Sequence, residues 1–489
     1  MRVNYQTNAG AQFRVLSDDQ LEEIFQAVLK VLQEIGLDVH NEEARQILGH
    51  NGASVDELRV RIPSYMVKQA LSMAPRSFTL WARDGDPDKN IHIGAGRPYY
   101  GPGPTCPNFL DPTTGQRRPY LRQDASAVAK VCDALPNIDF CESLGTISDV
   151  HPELGATYEF AEMFPNTSKP IVAWSYDWED GEDIHKMAVA AAGGQKAFEK
   201  RPNYVHYCEP LSPLVSNEEA LNKLIFAAHH RVPLIFTPCP SAGGTAPSTM
   251  AGVLTQAAAE SWMGLVVAQL IAPGLPFFMG GVVSIMDMQY AVLAYGAPEL
   301  SLLQAGLTEL AHYVGLPLWT TGGCTDAKVI DEQAALEGAL SVFFSGLSGG
   351  DLCHDVGYIG GGMTGSLQQL VLMNEAIGHT KRIRQGIEVT PETLAVDVIR
   401  DVGPGGHFLG EKHTLRHFRE FWSSELIDRN KVDDWEAAGC PTLGDRVQEK
   451  LVEILDTHQP PELPEGVPAR IEEVLAEAEA RVRKLEVRS

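Results

Sequence analysis

The chain has 489 residues, 44% of them hydrophobic, and its 39 Lys and Arg against 64 Asp and Glu give a formal charge of −25. Such a surface argues against nucleic-acid or anionic-membrane binding by bulk electrostatics and suits a cationic ligand or a basic partner. Its eight Cys lack CxxC pairs and any short regular spacing, so a reducing compartment, the cytoplasm, is expected.

The opening decapeptide MRVNYQTNAG has no apolar signal core. Ser17-Asp-Asp-Gln20 is a capping box, and Leu21, Ile24, Phe25, Val28, Leu29, Val31, Leu32 and Ile35 are assigned to one helical face, which predicts a helix ending at Gly36. A second helix is predicted from Pro63 to Met73, then an alternating strand Ser77–Arg83 with Asn90–Gly94 as its partner. Residues 1–95 therefore read as a helical and β accessory region.

Eight short apolar runs follow: Arg97–Thr105, Ile138–Gly145, Lys169–Asp177, Pro202–Pro210, Pro233–Ala242, Leu275–Ser284, Leu316–Asp326 and Asp351–Ile359. A helix-like stretch trails each one, at about 122–134, 152–163, 181–199, 216–230, 248–272, 297–314, 331–346 and 366–378. Eight such units predict a (β/α)8 TIM-type barrel over 96–385, whose chemistry belongs at the strand C-termini. Leu254–Leu275 is the most apolar long stretch, but Glu260 and the closing Pro273-Gly274 suit a buried helix better than a membrane span. Residues 386–489 are charged and helical, broken at Val402–Gly410 and at the Pro-rich Gln459–Gly466, and read as a helical extension packed on the barrel or an oligomer arm.

No dinucleotide fingerprint or P-loop occurs, so no nucleotide is expected. Gly360-Gly-Gly-Met-Thr-Gly365 reads either as a tight turn or as an anion cradle ahead of a helix. Cys208, Cys239, Cys324 and Cys353, with His206 and His354 nearby, form a zinc-type donor set or buried filler. His206 and Cys208 share one strand face and Tyr207 and Glu209 the other, so one pair alone points inward. Tyr99, Tyr100, Trp174, Tyr176, Tyr204, Tyr207, Phe236, Phe278, Trp319 and Tyr358 lie on the predicted strands or their ends, beside Glu142, Asp177, Glu209, Asp326, Asp351 and Asp355. An aromatic, acidic mouth of this kind favours a cation, above all a quaternary ammonium held by π-faces and field.

In Ile62–Asp84, Tyr99–Pro107, Pro233–Thr245, Gly280–Met286 and Leu316–Glu337 the chain resembles the trimethylamine methyltransferase superfamily. The resemblance implies methyl transfer to the corrinoid (cobalamin) of a separate protein, without S-adenosylmethionine. Trimethylamine enzymes proper carry pyrrolysine at a strand end, whereas this chain has standard residues throughout, including Gly322–Lys328. That departure points to the non-pyrrolysine branch, whose members resemble glycine betaine methyltransferase, with proline betaine, carnitine and γ-butyrobetaine as further substrates.

A betaine nitrogen is already quaternary, so a neutral amine leaves without a proton donor, and neither a general acid nor a metal is needed. The expected reaction gives dimethylglycine and methyl-Co(III). Tyr99, Tyr100, Trp174, Tyr207 and Phe236 are the expected cage, Glu209 and Asp355 supply field at the reacting centre, and His206, His354, Lys328 or the backbone amides of Gly360, Gly361 and Gly362 meet the substrate carboxylate. Expected partners are the corrinoid protein and a second copy of the chain. A zinc-dependent thiol or alcohol methyltransferase and a non-catalytic betaine-binding subunit are the alternatives.

Overall fold

The computed structural model describes residues 11–94 and 96–486; the opening decapeptide lies outside them. Seven parallel strands form the central sheet: β1 Tyr99–Tyr100, β2 Ile171–Trp174, β3 Tyr204–Cys208, β4 Leu234–Phe236, β5 Phe277–Gly280, β6 Leu318–Thr321 and β7 Leu352–His354. Their spatial order is β1-β7-β6-β5-β4-β3-β2. The run at 138–145, expected as a strand between β1 and β2, makes bridges only. Phe140 N reaches Tyr100 O and Val172 N donates to Cys141 O at 2.9 Å, but Leu144 turns left-handed at φ 64° to donate to Gly103 O. That turn breaks the pairing register and places Glu142 in irregular backbone.

Helices alternate with the strands: α1 Asp18–Lys30 precedes the sheet, then α2 Arg122–Ala134, α3 Gly155–Asn166, α4 Trp178–Ala192, α5 Glu218–His229, α6 Met250–Ile271, α7 Pro298–Val314, α8 Glu332–Ser348 and α9 Leu367–Arg384. α1 carries the expected capping box, with Gln20 N on Ser17 Oγ, and passes through a π-turn, Val31–Ile35, before Gly36 ends it at φ 75°. α6 is apolar on every side because it is covered on every side, by β4, β5, α1 and the helix Ser64–Met73. Its Glu260 accepts from Leu214 N and Ser212 Oγ, tying down the loop after β3. Among the described residues no helix is long and apolar enough to cross a membrane.

The hairpin of Phe78–Leu80 and Ile91–Ile93 closes the N-terminal end of the sheet. Phe78 meets Phe278 edge-on at 5.2 Å, Trp81 N donates to Pro202 O, and Gly94 N donates to Asp351 Oδ1. Strands Leu37–Val39, Ser54–Asp56 and Arg59–Arg61, with Val215–Ser216, make a second small sheet that apolar alternation did not announce. α10 Leu443–Thr457 packs on α9 and α2, and α11 Val467–Glu486 on α4 and α3.

β4 and α6 approach closely because Gly264 has no side chain: a Cβ there would overlap the Phe236 ring. Gly264→Ala should lower stability by about 1–3 kcal/mol through overpacking. An unchanged melting temperature would contradict this contact.

Candidate active site

Strand parity decides which residues can act. On β3, Tyr204 packs outward against Phe160 and Phe198, with ring centroids 6.0 and 5.3 Å away. His206 follows it outward, its Nε2 3.1 Å from Ser175 Oγ and its ring beside Gly181 of α4. Burial holds its imidazole neutral, with the pKa pushed down to about 3. Tyr207 therefore faces inward, 6.2 Å from the Trp319 ring, and its hydroxyl donates to Glu209 Oε2 at 2.8 Å.

Across the sheet, His354 stacks on Trp319 at 4.4 Å with planes 9° apart. Both of its ring nitrogens are engaged, Nδ1 with Asp355 Oδ1 at 2.7 Å and Nε2 with Thr321 Oγ1 at 3.2 Å. Asp355 takes φ 69°, a backbone conformation that costs a non-glycine residue energy, and it is 2% exposed. Its Oδ2 has no hydrogen-bond partner among the described residues. Gly103 lies against it: an added Cβ would collide with Asp355 Oδ1 and stand 2.7 Å from the Tyr358 hydroxyl.

Glu142 completes the acidic set. It is fully buried, both carboxylate oxygens lack hydrogen-bond partners among the described residues, and burial followed by the charge of Asp355 pushes its pKa well above the ordinary carboxylate range. Glu209 is raised in the same direction, first by desolvation in the cleft and further by Asp355, although its side chain remains open to solvent. Asp355 thus acts on both Glu142 and Glu209, all three acids bear on the Tyr207 phenol, and Trp319 lies beside Tyr207 with Tyr358 near Asp355. Tyr295 stands 6.3 Å from Tyr358, held by donation of its backbone N–H to Asp326.

Several expected site residues lie elsewhere. Phe236 packs outward on α6, and Tyr100 packs outward with its hydroxyl against Gly346 of α8 and Lys381 over its ring. Tyr99 is at the closed end, where its hydroxyl accepts from His92 N at 3.1 Å. Gly360 N and Gly361 N are spent on Ala327 O and Thr325 O, in the turn between Tyr358–Ile359 and Thr364–Gly365. The anion cradle is therefore a hairpin turn. Lys328 Nζ donates to Asp326 O. Trp174 lies in register with Tyr207, but its indole N–H is committed to Glu159 Oε2 at 2.7 Å, a buried acid pushed up to about 8 by desolvation.

Cys353 turns outward to Ser345 of α8, Cys208 shares the outward face of His206, and among the described residues the strand-end Cys and His bring no three ligand atoms together. Tyr295 escaped sequence reasoning because it follows β5 on an inserted hairpin, Ser284–Asp287 with Val292–Leu293, and not on a strand.

A parallel sheet with helices between its strands and its buried acids gathered beyond the strand C-termini defines an α/β enzyme. The family model for trimethylamine methyltransferase matches residues 1–482. Trimethylamine methyltransferase MttB of Desulfitobacterium hafniense (strain DSM 10664 / DCB-2) is 33% identical over 465 residues, 95% of this chain and 93% of that protein. Glycine betaine methyltransferase of D. hafniense (strain Y51) is 30% identical over 471 residues, covering 95% and 97%. The chain belongs to the trimethylamine methyltransferase family and is a methyltransferase. Its fold is similar to that of the Methanosarcina barkeri monomethylamine methyltransferase (MtmB), with a TM-score of 0.52 at 12% identity, covering 91% of this chain and 88% of that one.

Gly103→Ala should displace Asp355 and cut kcat/KM by about tenfold or more, a loss that needs only about 1.4 kcal/mol at the site, and should lower stability by about 1–3 kcal/mol through the same overpacking. Full activity in that variant would remove Asp355 from the site.

Proposed function

We propose that this chain transfers a methyl group from a quaternary amine, glycine betaine first among them, to the corrinoid of a separate protein. The observation that carries the reading is the convergence of Glu142, Glu209 and Asp355 beside Tyr207 and Trp319, with no salt bridge to Glu142 or Glu209 among the described residues. Such a site is repulsive until a cation enters it. A quaternary head cannot donate a hydrogen bond, which suits unpartnered oxygens and aromatic faces. Relatedness to a glycine betaine methyltransferase supports the substrate.

At a separation of about 5 Å and an effective dielectric of about 20, one carboxylate attracts the head by about 3 kcal/mol, and a desolvated aromatic face adds about 2 kcal/mol. Because the positive charge vanishes in the transition state, these contacts serve binding and position, not acceleration. Tyr207 and Trp319 orient one N-methyl outward and exclude water; His354, locked between Asp355 and Thr321, holds the Trp319 plane. The partner's corrinoid supplies the cobalt nucleophile that accepts the methyl. Its approach fits the rim at the strand C-termini, where Trp178, Leu211, Met288, Tyr290 and Met363 are exposed.

On this reading 1–95 is an accessory region, 96–385 a closed (β/α)8 barrel in which 138–145 is the irregular eighth stave, and 386–489 an extension. Operation in the cytoplasm as a homo-oligomer completes the proposal. A second reading keeps the chemistry and changes the substrate tail. His206 faces outward, both His354 nitrogens are engaged and the Gly360 and Gly361 amides are spent, which leaves Lys328 and the Gly362 amide of the expected carboxylate donors. So thinned a donor set favours a quaternary amine without a carboxylate.

The test is a panel of glycine betaine, proline betaine, carnitine, γ-butyrobetaine, choline and tetramethylammonium, with trimethylamine as the tertiary control. Each is mixed with the chain and a Co(I) corrinoid protein, and methylation is followed by absorbance. Turnover of at least one quaternary amine and none of trimethylamine is expected; the reverse overturns the proposal. Glu142→Gln should weaken binding of the active amine on the order of a hundredfold. Because burial and the charge of Asp355 raise the Glu142 pKa in the empty site and a bound cation lowers it, affinity should rise with pH through the range in which Glu142 titrates, and binding there should release protons. Calorimetry in buffers of different ionisation enthalpy reads both; affinity independent of pH would contradict the assignment.

A further inference from the structure

Between α9 and α10 the chain runs through the short helices Pro391–Leu394, Val396–Val402, Lys412–His417 and Val432–Ala437, none of which buries a residue. Up to Phe421 its large apolar side chains face solvent, Leu409 being 88% exposed, Leu415 72% and Phe421 74%, and apolar anchoring comes only later, from Trp422 on His379 and from buried Leu426. Hydrophobic burial therefore does not hold the stretch from Pro391 to His417 in place. A polar cluster does join two of its helices: Glu392, from the first, meets His413 and His417, from the third, with one ligand atom of each residue lying within 4.8 Å of the others.

The cluster has the local chemistry of a ligand set. His413 and His417 are one turn apart, so they occupy one helical face, and their ring centroids are 4.3 Å apart. His417 Nδ1 is 2.7 Å from Glu420 Oε1. An ionised carboxylate can only accept, so Nδ1 carries the proton, and in the neutral ring Nε2 keeps its lone pair. This arrangement, in which a carboxylate fixes the far nitrogen, is the one that orients metal-bound histidines. The Nε2 atoms of both histidines are shielded from solvent and have no hydrogen-bond partner among the described residues; that of His417 stands 3.5 Å from Glu392 Oε1. Arg416 donates to the same Oε1 at 2.7 Å and steadies the carboxylate, leaving its other oxygen available.

We propose that Glu392, His413 and His417 bind one divalent ion of the zinc class and that this ion staples the arm. Two imidazoles and a carboxylate are a zinc donor set, and three protein ligands leave a fourth position for water. Imidazole nitrogen disfavours magnesium and calcium, which take oxygen. Ligand atoms on tetrahedral zinc stand about 3.3 Å apart, so the present spacing closes by side-chain rotations of roughly 1 Å, which an exposed Glu392 permits. The ion would tie Pro391–Leu394 to Lys412–His417 and supply the order that burial does not. The site is independent of the methyl-transfer site and does not rest on the function proposed for it.

The experiment uses the full chain, stripped with a chelator and titrated with Zn2+ in excess Mg2+, followed by limited proteolysis with and without Zn2+. One equivalent should bind at micromolar affinity or tighter, and His413→Ala/His417→Ala should weaken it by about a hundredfold or more. The double variant alters a short helix that buries nothing, so folding is retained. His407→Ala and Cys440→Ser, which change exposed donors outside the cluster, should leave binding intact. Zinc should slow cleavage within 386–440 several-fold in the parent chain and not in the double variant. Failure to take up zinc, uptake indifferent to the double substitution, or uptake lost with Cys440→Ser each overturns the site. Uptake with unchanged cleavage overturns the staple.

Discussion

A buried carboxylate without a partner, Glu142, beside two further acids is the constraint around which this site is arranged. Glu142 is fully enclosed and Asp355 almost so, and the charge of Asp355 adds to the burial cost of ionising Glu142, while Glu209 adds a third acid at the open side. Removing an isolated carboxylate from water costs far more than a fold can spare, so the group either keeps its proton or meets a cation. A site built this way is stable with protons on and receptive with protons off. On the proposed function the acids select for charge, and the neighbouring rings for a charge that cannot be hydrogen-bonded.

The scaffold makes the arrangement possible by deciding which side of each strand is which. Outward residues of β3, namely Tyr204, His206 and Cys208, pack under helices, and the inward Tyr207 leads directly to Glu209. On β7 the outward Cys353 meets α8 while the inward His354 stacks on Trp319 and passes the chain to Asp355. The strained φ of Asp355 and the bare Cα of Gly103 are local concessions that let a carboxylate occupy a position ordinary backbone would deny it.

Much of this architecture was legible in the sequence. The capping box at Ser17, the helices trailing each apolar run and the closing helix at 467–486 all follow from periodicity and caps. The Ile138–Gly145 run was misread because its apolar residues look like a strand, while a left-handed Leu144 ends the pairing, and no residue type announces that. The site was legible in kind but not in membership. A one-residue change of parity exchanges the two faces of a strand, so Tyr100, Phe236 and His206 could be named from position yet sit under helices. Gly360 and Gly361 offered amides on paper that the hairpin turn had already used. Glu142 was visible as one acid among several; its isolation emerges only from the packing around it.

The central claim is that charge, not shape, selects the ligand. Comparing the affinity of the preferred quaternary amine with that of its neutral carbon isostere, the trimethylammonium replaced by a tert-butyl group, tests it most directly, because the two fill the same volume. The account predicts that the cation binds on the order of a hundredfold tighter or better. Equal affinity would contradict it, for then the three carboxylates would have no part in recognition.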